Sequence, residues 1–180
     1  MMKRRTRLLT LGALAAAAAV AVPTAVYANQ ASPDSLVSIR NATRAFQTFA
    51  NSQSDGFTGE VTNKDTGATC IANGQVGAMG EHWANGGRVT DGVIDKQRPE
   101  VLLYEPQSDG SKKLLGVEYV VFVSDWAKKH SGRPVLFGQT FGLTTTNPFG
   151  LPPFYALHAW AWKTNPSGDF AAWNPTVTCP

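Results

Sequence analysis

Apolar positions recur along this chain in two rhythms. Between Ser32 and Gln53, Leu36, Ile39, Thr43, Phe46 and Ala50 return every three or four residues, the period of one helix face. Ser32-Pro33-Asp34-Ser35 stands before them as an N-cap followed by Pro at the first helical position. The pattern predicts one amphipathic helix of about five turns over residues 33–53. From Ser54 to Gly80 the chain turns to Gly, Thr, Asn and Asp, which reads as loop. Beyond it come short apolar runs at residues 79–84, 101–104, 114–123, 135–143 and 154–163, each bounded by turn formers, and these are strand candidates. The runs "PEVLLYEP" and "KLLGVEYVVFV" flank "QSDGSKK" and read as a hairpin. No second long helical pattern appears. The fold class is α+β: an N-terminal amphipathic helix followed by an antiparallel β-sheet or partial barrel.

Alternation within the strands brings in the chemistry. Leu115, Val117, Tyr119, Val121 and Val123 share one face of their run, and Leu114, Gly116, Glu118, Val120 and Phe122 share the other. Both faces are apolar, so Glu118 is expected to be buried. Phe154, Ala156, His158, Trp160 and Trp162 form one face of the last run, which sets His158 among aromatic rings. His82 sits in a third apolar run, "GAMGEHWANGG". A buried carboxylate is neutralised, paired or used as a ligand. Convergence of His82, Glu118 and His158 would make a two-His, one-carboxylate site suited to a divalent transition metal.

Each residue also has a purely structural reading. Glu118 could accept from Trp or Tyr donors or pair with Arg98 or Arg133, and His158 could be a core histidine bonded to a carbonyl. A Glu118 in contact with His158 is expected to raise the imidazole pKa. His130, Glu81 and Glu105 are set aside, as a loop residue and as groups on the wrong face or at a turn.

Aromatic content opens a different class of function. Trp160, Trp162 and Trp173 could offer flat faces to a carbohydrate or another apolar small molecule, making the domain a non-catalytic binding module. A serine hydrolase is disfavoured, because no Ser lies in a G-x-S-x-G turn.

The first residues change the account of charge and compartment. Lys3, Arg4, Arg5 and Arg7 precede an apolar stretch over residues 8–22, and Val26-Tyr27-Ala28 fits signal-peptidase cleavage after Ala28. Residues 1–28 read as a signal peptide and 29–180 as a single globular domain. The apolar stretch is shorter than the ~20 residues that span a bilayer, so no membrane association is expected after cleavage. Four of the sixteen basic residues belong to this leader, which leaves twelve against thirteen acidic ones. That balance excludes a basic nucleic-acid-binding face. Cys70 and Cys179, an even pair in a secreted chain, are expected to form a disulfide. Two thiolates on a metal are the competing reading, but neither Cys has a second ligand nearby in sequence. The tail "KTNPSGDFAAWNPTVTC" should leave the sheet, pack Phe170 and Trp173 back against it and end at that bridge.

"MGEHWAN", "RPEVLLYEP", "VEYVV" and "FYALHAWAWKTNPSGDFAAWNPTVTC" together resemble a group of exported bacterial domains, of actinobacterial type and uncharacterised function. The resemblance covers most of the chain after the leader and implies no activity. His82, Glu118 and His158 all fall within the motif stretches that carry it.

Overall fold

A computed structural model describes residues 31–180. The expected leader, residues 1–28, lies outside the described residues. The elements run in the order α1 (Pro33–Thr43), a 3-10 turn (Arg44–Gln47), α2 (Phe49–Ser54), β1 (Phe57–Glu60), β2 (Cys70–Asn73), β3 (Gly77–Asn85) and α3 (Gly86–Val89). There follow β4 (Val101–Pro106), β5 (Lys112–Phe122), α4 (Val123–Trp126), β6 (Val135–Leu136), β7 (Gln139–Thr140), β8 (Gly142–Thr144) and β9 (Phe154–Ala159).

The helical segment starts where the sequence places it, with Ser32 Oγ accepting from Ser35 N at 3.3 Å. It does not continue as one helix to Gln53. Thr43 Oγ1 donates back to Ile39 O at 2.7 Å, and Thr48 takes extended dihedrals. The freed Phe46 carbonyl accepts instead from Tyr104 Oη at 2.7 Å. A tertiary hydrogen bond thus replaces the helical one, and local hydroxyl competition marks the break.

Seven strands form one antiparallel sheet in the order β1-β3-β4-β5-β9-β8, with β2 joining β1 along the same edge of β3. The β4–β5 hairpin is present, Glu105 facing Lys113 and Pro106 facing Lys112. Two expectations are corrected. The stretch read as loop contains β1 and β2, which are too short and too polar to show a period but are paired along β3. Residues 135–143 are not one strand. Phe137 and Gly138 both take positive φ, at 52° and 74°, and close a two-residue turn between β6 and β7.

The two sheet faces build separate cores. Ile39, Leu102, Tyr104, Val117, Tyr119 and Leu157 pack on one face beneath the helical segment. Ala78, Val101, Leu103, Leu115, Val120 and Phe154 lie on the other. Simple alternation misassigns the start of β5. A bulge between Leu103 and Tyr104 pairs them with Gly116 and Leu114, so Leu115 is the extra residue and changes sides.

Cys70 and Cys179 are joined, their Cα atoms 5.6 Å apart. Asn174 pairs with Ala78 through hydrogen bonds of 3.1 and 3.0 Å, fixing the tail to β3 ahead of the disulfide. Phe170 is buried in the helix-side core, and Trp173 lies over the opposite face.

Gly116 is required where β5 and the end of β9 meet. A Cβ there would stand 2.3 Å from Ala159 O, against rigid backbone. Gly116→Ala should therefore destabilise the domain by about 1–3 kcal/mol or more, as overpacking of a close contact does. A urea midpoint equal to that of the wild type would show that the contact relaxes freely.

Candidate metal centre

His82, Glu118 and His158 come from β3, β5 and β9 and meet on the face opposite α1 and α2. Glu118 and His158 are register partners across the β5–β9 ladder. His82 reaches them diagonally across β4, because Ala84, two residues on and on the same face, pairs with Val101, which in turn pairs with Glu118. All three are buried, at 6%, 8% and 6% exposure.

Local backbone orients the first ligand. Gly80 has φ +85° beside a bulge in β3, a conformation other residues adopt only with strain. Its carbonyl lies 3.2 Å from His82 Nδ1. With Nδ1 donating there, the lone pair is left on Nε2, the atom directed at Glu118. The M-G-x-H spacing is therefore a means of fixing one tautomer.

His82 Nε2 stands 3.8 Å from Glu118 Oε2, and His158 Nδ1 stands 3.6 Å from Glu118 Oε1. Both distances exceed hydrogen-bond length. They match the edges of a coordination polyhedron, since two donors each ~2.1 Å from one ion lie about 3.4 Å apart in a tetrahedron and at most about 4.2 Å apart. One donor atom from each residue lies within 4.8 Å of the others, so the widest pair must close by up to about 1.4 Å to reach the tetrahedral edge around one ion. Among the described residues, His158 Nε2 is buried without a hydrogen-bond partner. Such an atom calls for a partner, which an ion, a ligand or a buried water supplies.

Electrostatics corrects one expectation. Contact with Glu118 exists, yet burial lowers His158 to about 3, with the neighbouring His82 adding to the effect. Burial also lowers His82 to about 4 against the Gly80 hydrogen bond, and raises Glu118 to about 8. A carboxyl that is itself protonated cannot attract a proton to its neighbour. Burial thus favours the uncharged form of each member of the metal-free trio at neutral pH.

Stability then has a defined pH dependence. Below 6.5 the unfolded chain takes protons on two histidines that the folded chain refuses, so stability falls as pH drops towards 4 and 3. Above 4.5 the folded chain keeps protons on Glu118 and on Glu100, also raised to about 8 by burial, so stability falls as pH rises to 8. The two effects oppose each other between 4.5 and 6.5. Thermal melts in chelator should show the highest Tm in that window and a decline by pH 8; a steady rise from pH 5 to 8 would contradict these assignments.

The trio forms the floor of a cavity of about 510 Å³, walled mainly by aliphatic and aromatic side chains. Of the three Trp residues considered for a binding face, Trp173 lines this cavity. Trp160 cannot be a platform. It is 1% exposed, and its Nε1 donates to Ala171 O at 2.6 Å. Trp162 packs in the core on the opposite face and donates to Thr43 Oγ1 at 3.0 Å, because beyond the end of β9 the alternation runs on through Trp160 and Ala161 and then breaks.

Other charged groups meet structural demands. Glu81 accepts from Trp83 Nε1 and Lys112 Nζ, and Glu105 holds Lys163 Nζ at 2.8 and 2.9 Å and the Thr178 amide at 3.1 Å. Glu100, which strand patterning does not single out, accepts from Val120 N at 2.9 Å and continues the β4–β5 ladder with a side chain. His130 stacks on Trp126 with ring centres 3.8 Å apart. No protein-family model matches the chain, and neither a curated protein nor a solved structure matches it.

Proposed function

We propose that this domain binds a divalent transition-metal ion through His82 Nε2, the Glu118 carboxylate and a ring nitrogen of His158. One observation carries the reading: a carboxylate has an imidazole nitrogen at each oxygen, buried, at 3.6 and 3.8 Å, too far for hydrogen bonds and at the spacing of donors on a shared ion. Two nitrogens and one carboxylate suit zinc, iron(II), cobalt or nickel better than calcium or magnesium. Three protein ligands leave coordination positions for water or substrate, and an ion so held supplies Lewis acidity or an acidified water. His82 is held in the ligating tautomer by the Gly80 carbonyl, as outer partners do in metal sites.

The domain works outside the cytoplasm. A basic-apolar leader, the Cys70–Cys179 disulfide and the likeness to exported actinobacterial-type domains support this. No helix among the described residues is long and apolar enough to cross a membrane.

Metal analysis of protein produced without a histidine tag tests the reading. The expected content is one equivalent of zinc, iron, cobalt or nickel per chain, removed by chelator and restored by a single added ion. His82→Ala and His158→Ala should each abolish retention through desalting. A wild-type protein that takes up no ion under these conditions sinks the proposal.

A further inference from the structure

The cavity above the trio is of the size that takes an organic molecule, and its walls restrict what that molecule is. Val61, Ile71, Val89, Val120, Phe122 and Phe154 contribute hydrocarbon surface. Apart from the trio, no Lys, Arg, Asp or Glu among the described residues lines it. Two of the remaining polar side chains are spent within the fold. Thr90 Oγ1 donates to Gly86 O at 2.9 Å. Asn147 Oδ1 accepts from Phe149 N and Leu151 N, each at 3.1 Å, and its Nδ2 donates to Leu151 O at 3.0 Å.

A phosphorylated or polyhydroxylated ligand would find, away from the trio, mainly the Thr144 and Thr146 hydroxyls and the Trp173 indole among the lining side chains, and each polar group left unpaired would cost ~1–3 kcal/mol. A hydrocarbon body gains instead from every contact. At the floor the demand reverses, because His158 Nε2 is buried without a partner among the described residues, beside the proposed ion site. The mouth lies where Thr146, Leu151 and Ala172 are exposed, between residues 142–151 and the tail.

We infer that the cavity takes a small molecule with a hydrocarbon body and a single metal-binding head group, the body against the β-sheet and loop walls and the head against His82, Glu118 and His158. The role of the head rests on the metal reading above; the choice of body does not. Such a ligand enters past Leu151 and Ala172 and meets the two imidazoles and the carboxyl group at the floor.

N-phenyl-1-naphthylamine, an uncharged fluorophore, reports on the body, and octanohydroxamic acid compared with methyl octanoate reports on the head. The fluorophore should bind the zinc-loaded wild type saturably. Ala156→Phe, which fills the cavity wall, should weaken that binding at least ~tenfold while zinc stoichiometry is unchanged. Ala172→Phe at the exposed mouth makes the same comparison where the inner substitution impairs folding. The hydroxamate should displace the fluorophore at least ~tenfold more tightly than the ester, and the advantage should vanish without zinc. Zinc bound by a protein that excludes the fluorophore, or binds hydroxamate and ester equally, overturns the ligand assignment and leaves the metal reading standing. Fluorophore entry without zinc binding refutes the metal reading, and with it the head-group assignment.

Discussion

Glu118→Gln protein will fold at least as stably as the metal-free wild type at pH 7 to 8, and will lose its ion. The two halves of this expectation come from the same burial. In the metal-free fold Glu118 is held protonated, with its pKa pushed up to about 8, so a neutral amide of the same shape replaces a neutral acid. As pH rises towards 8 the wild type meets the growing cost of a buried carboxylate that the variant never forms. Metal binding inverts the order. A carboxylate is a ligand and an amide a poor one, so affinity should fall by more than the ~10–100-fold that loss of an outer partner alone produces. Ion at a thousandfold excess over its Kd stabilises a folded state by ~4 kcal/mol, and the variant should gain almost none of it. Paired thermal melts with chelator and with zinc check both halves. A variant less stable than the wild type in chelator would assign Glu118 a structural role; one stabilised by zinc to the wild-type extent would remove it from the site.

That inversion also shows what strand patterning can and cannot disclose. One titratable group in each of three apolar runs was enough to bring His82, Glu118 and His158 together, because period-two alternation holds along the inner parts of β3, β5 and β9. It fails where the backbone departs from the pleat. A single extra residue at Leu115 exchanges the faces of Leu114 and Leu115, and beyond β9 the alternation breaks after Ala161, which leaves Trp162 in the opposite core. Short polar strands such as β1 and β2 leave no period to read, and the break after Thr43 depends on Tyr104, fifty-eight residues from the Phe46 carbonyl it satisfies. The cavity over the sheet face is completed by residues 142–151 and the tail, whose approach is a tertiary matter. The sign of the His158 shift was out of reach for another reason. It depends on the charge state of its neighbour, which depends in turn on how completely both are buried.

Replacing both cysteines with serine should cost the domain ~2–5 kcal/mol, the largest stability loss expected from any pair of substitutions outside the core. Cys70 opens β2 and Cys179 lies at the end of the tail, 109 positions away, so the bridge removes much of the freedom of the unfolded chain. A closed loop of about 100 residues is worth ~4.7 kcal/mol in the chain-entropy account, before native strain is subtracted. Other contacts hold the tail as well: the Ala78–Asn174 pair, the buried Val177 and the Thr178 amide on Glu105. The serine variant should therefore remain folded at low temperature, with its urea midpoint lowered. Its weakest part should be the segment after Trp160, which supplies Ala172 and Trp173 to the cavity wall. Amide exchange at Ala78 and Asn174, whose N–H groups bond each other's carbonyls across the tail, should then quicken more than exchange at Val117 or Leu157 in the centre of the sheet. Equal acceleration at all four amides would mean that the disulfide acts only through the unfolded chain, and an unchanged midpoint would mean that the tail is held without it.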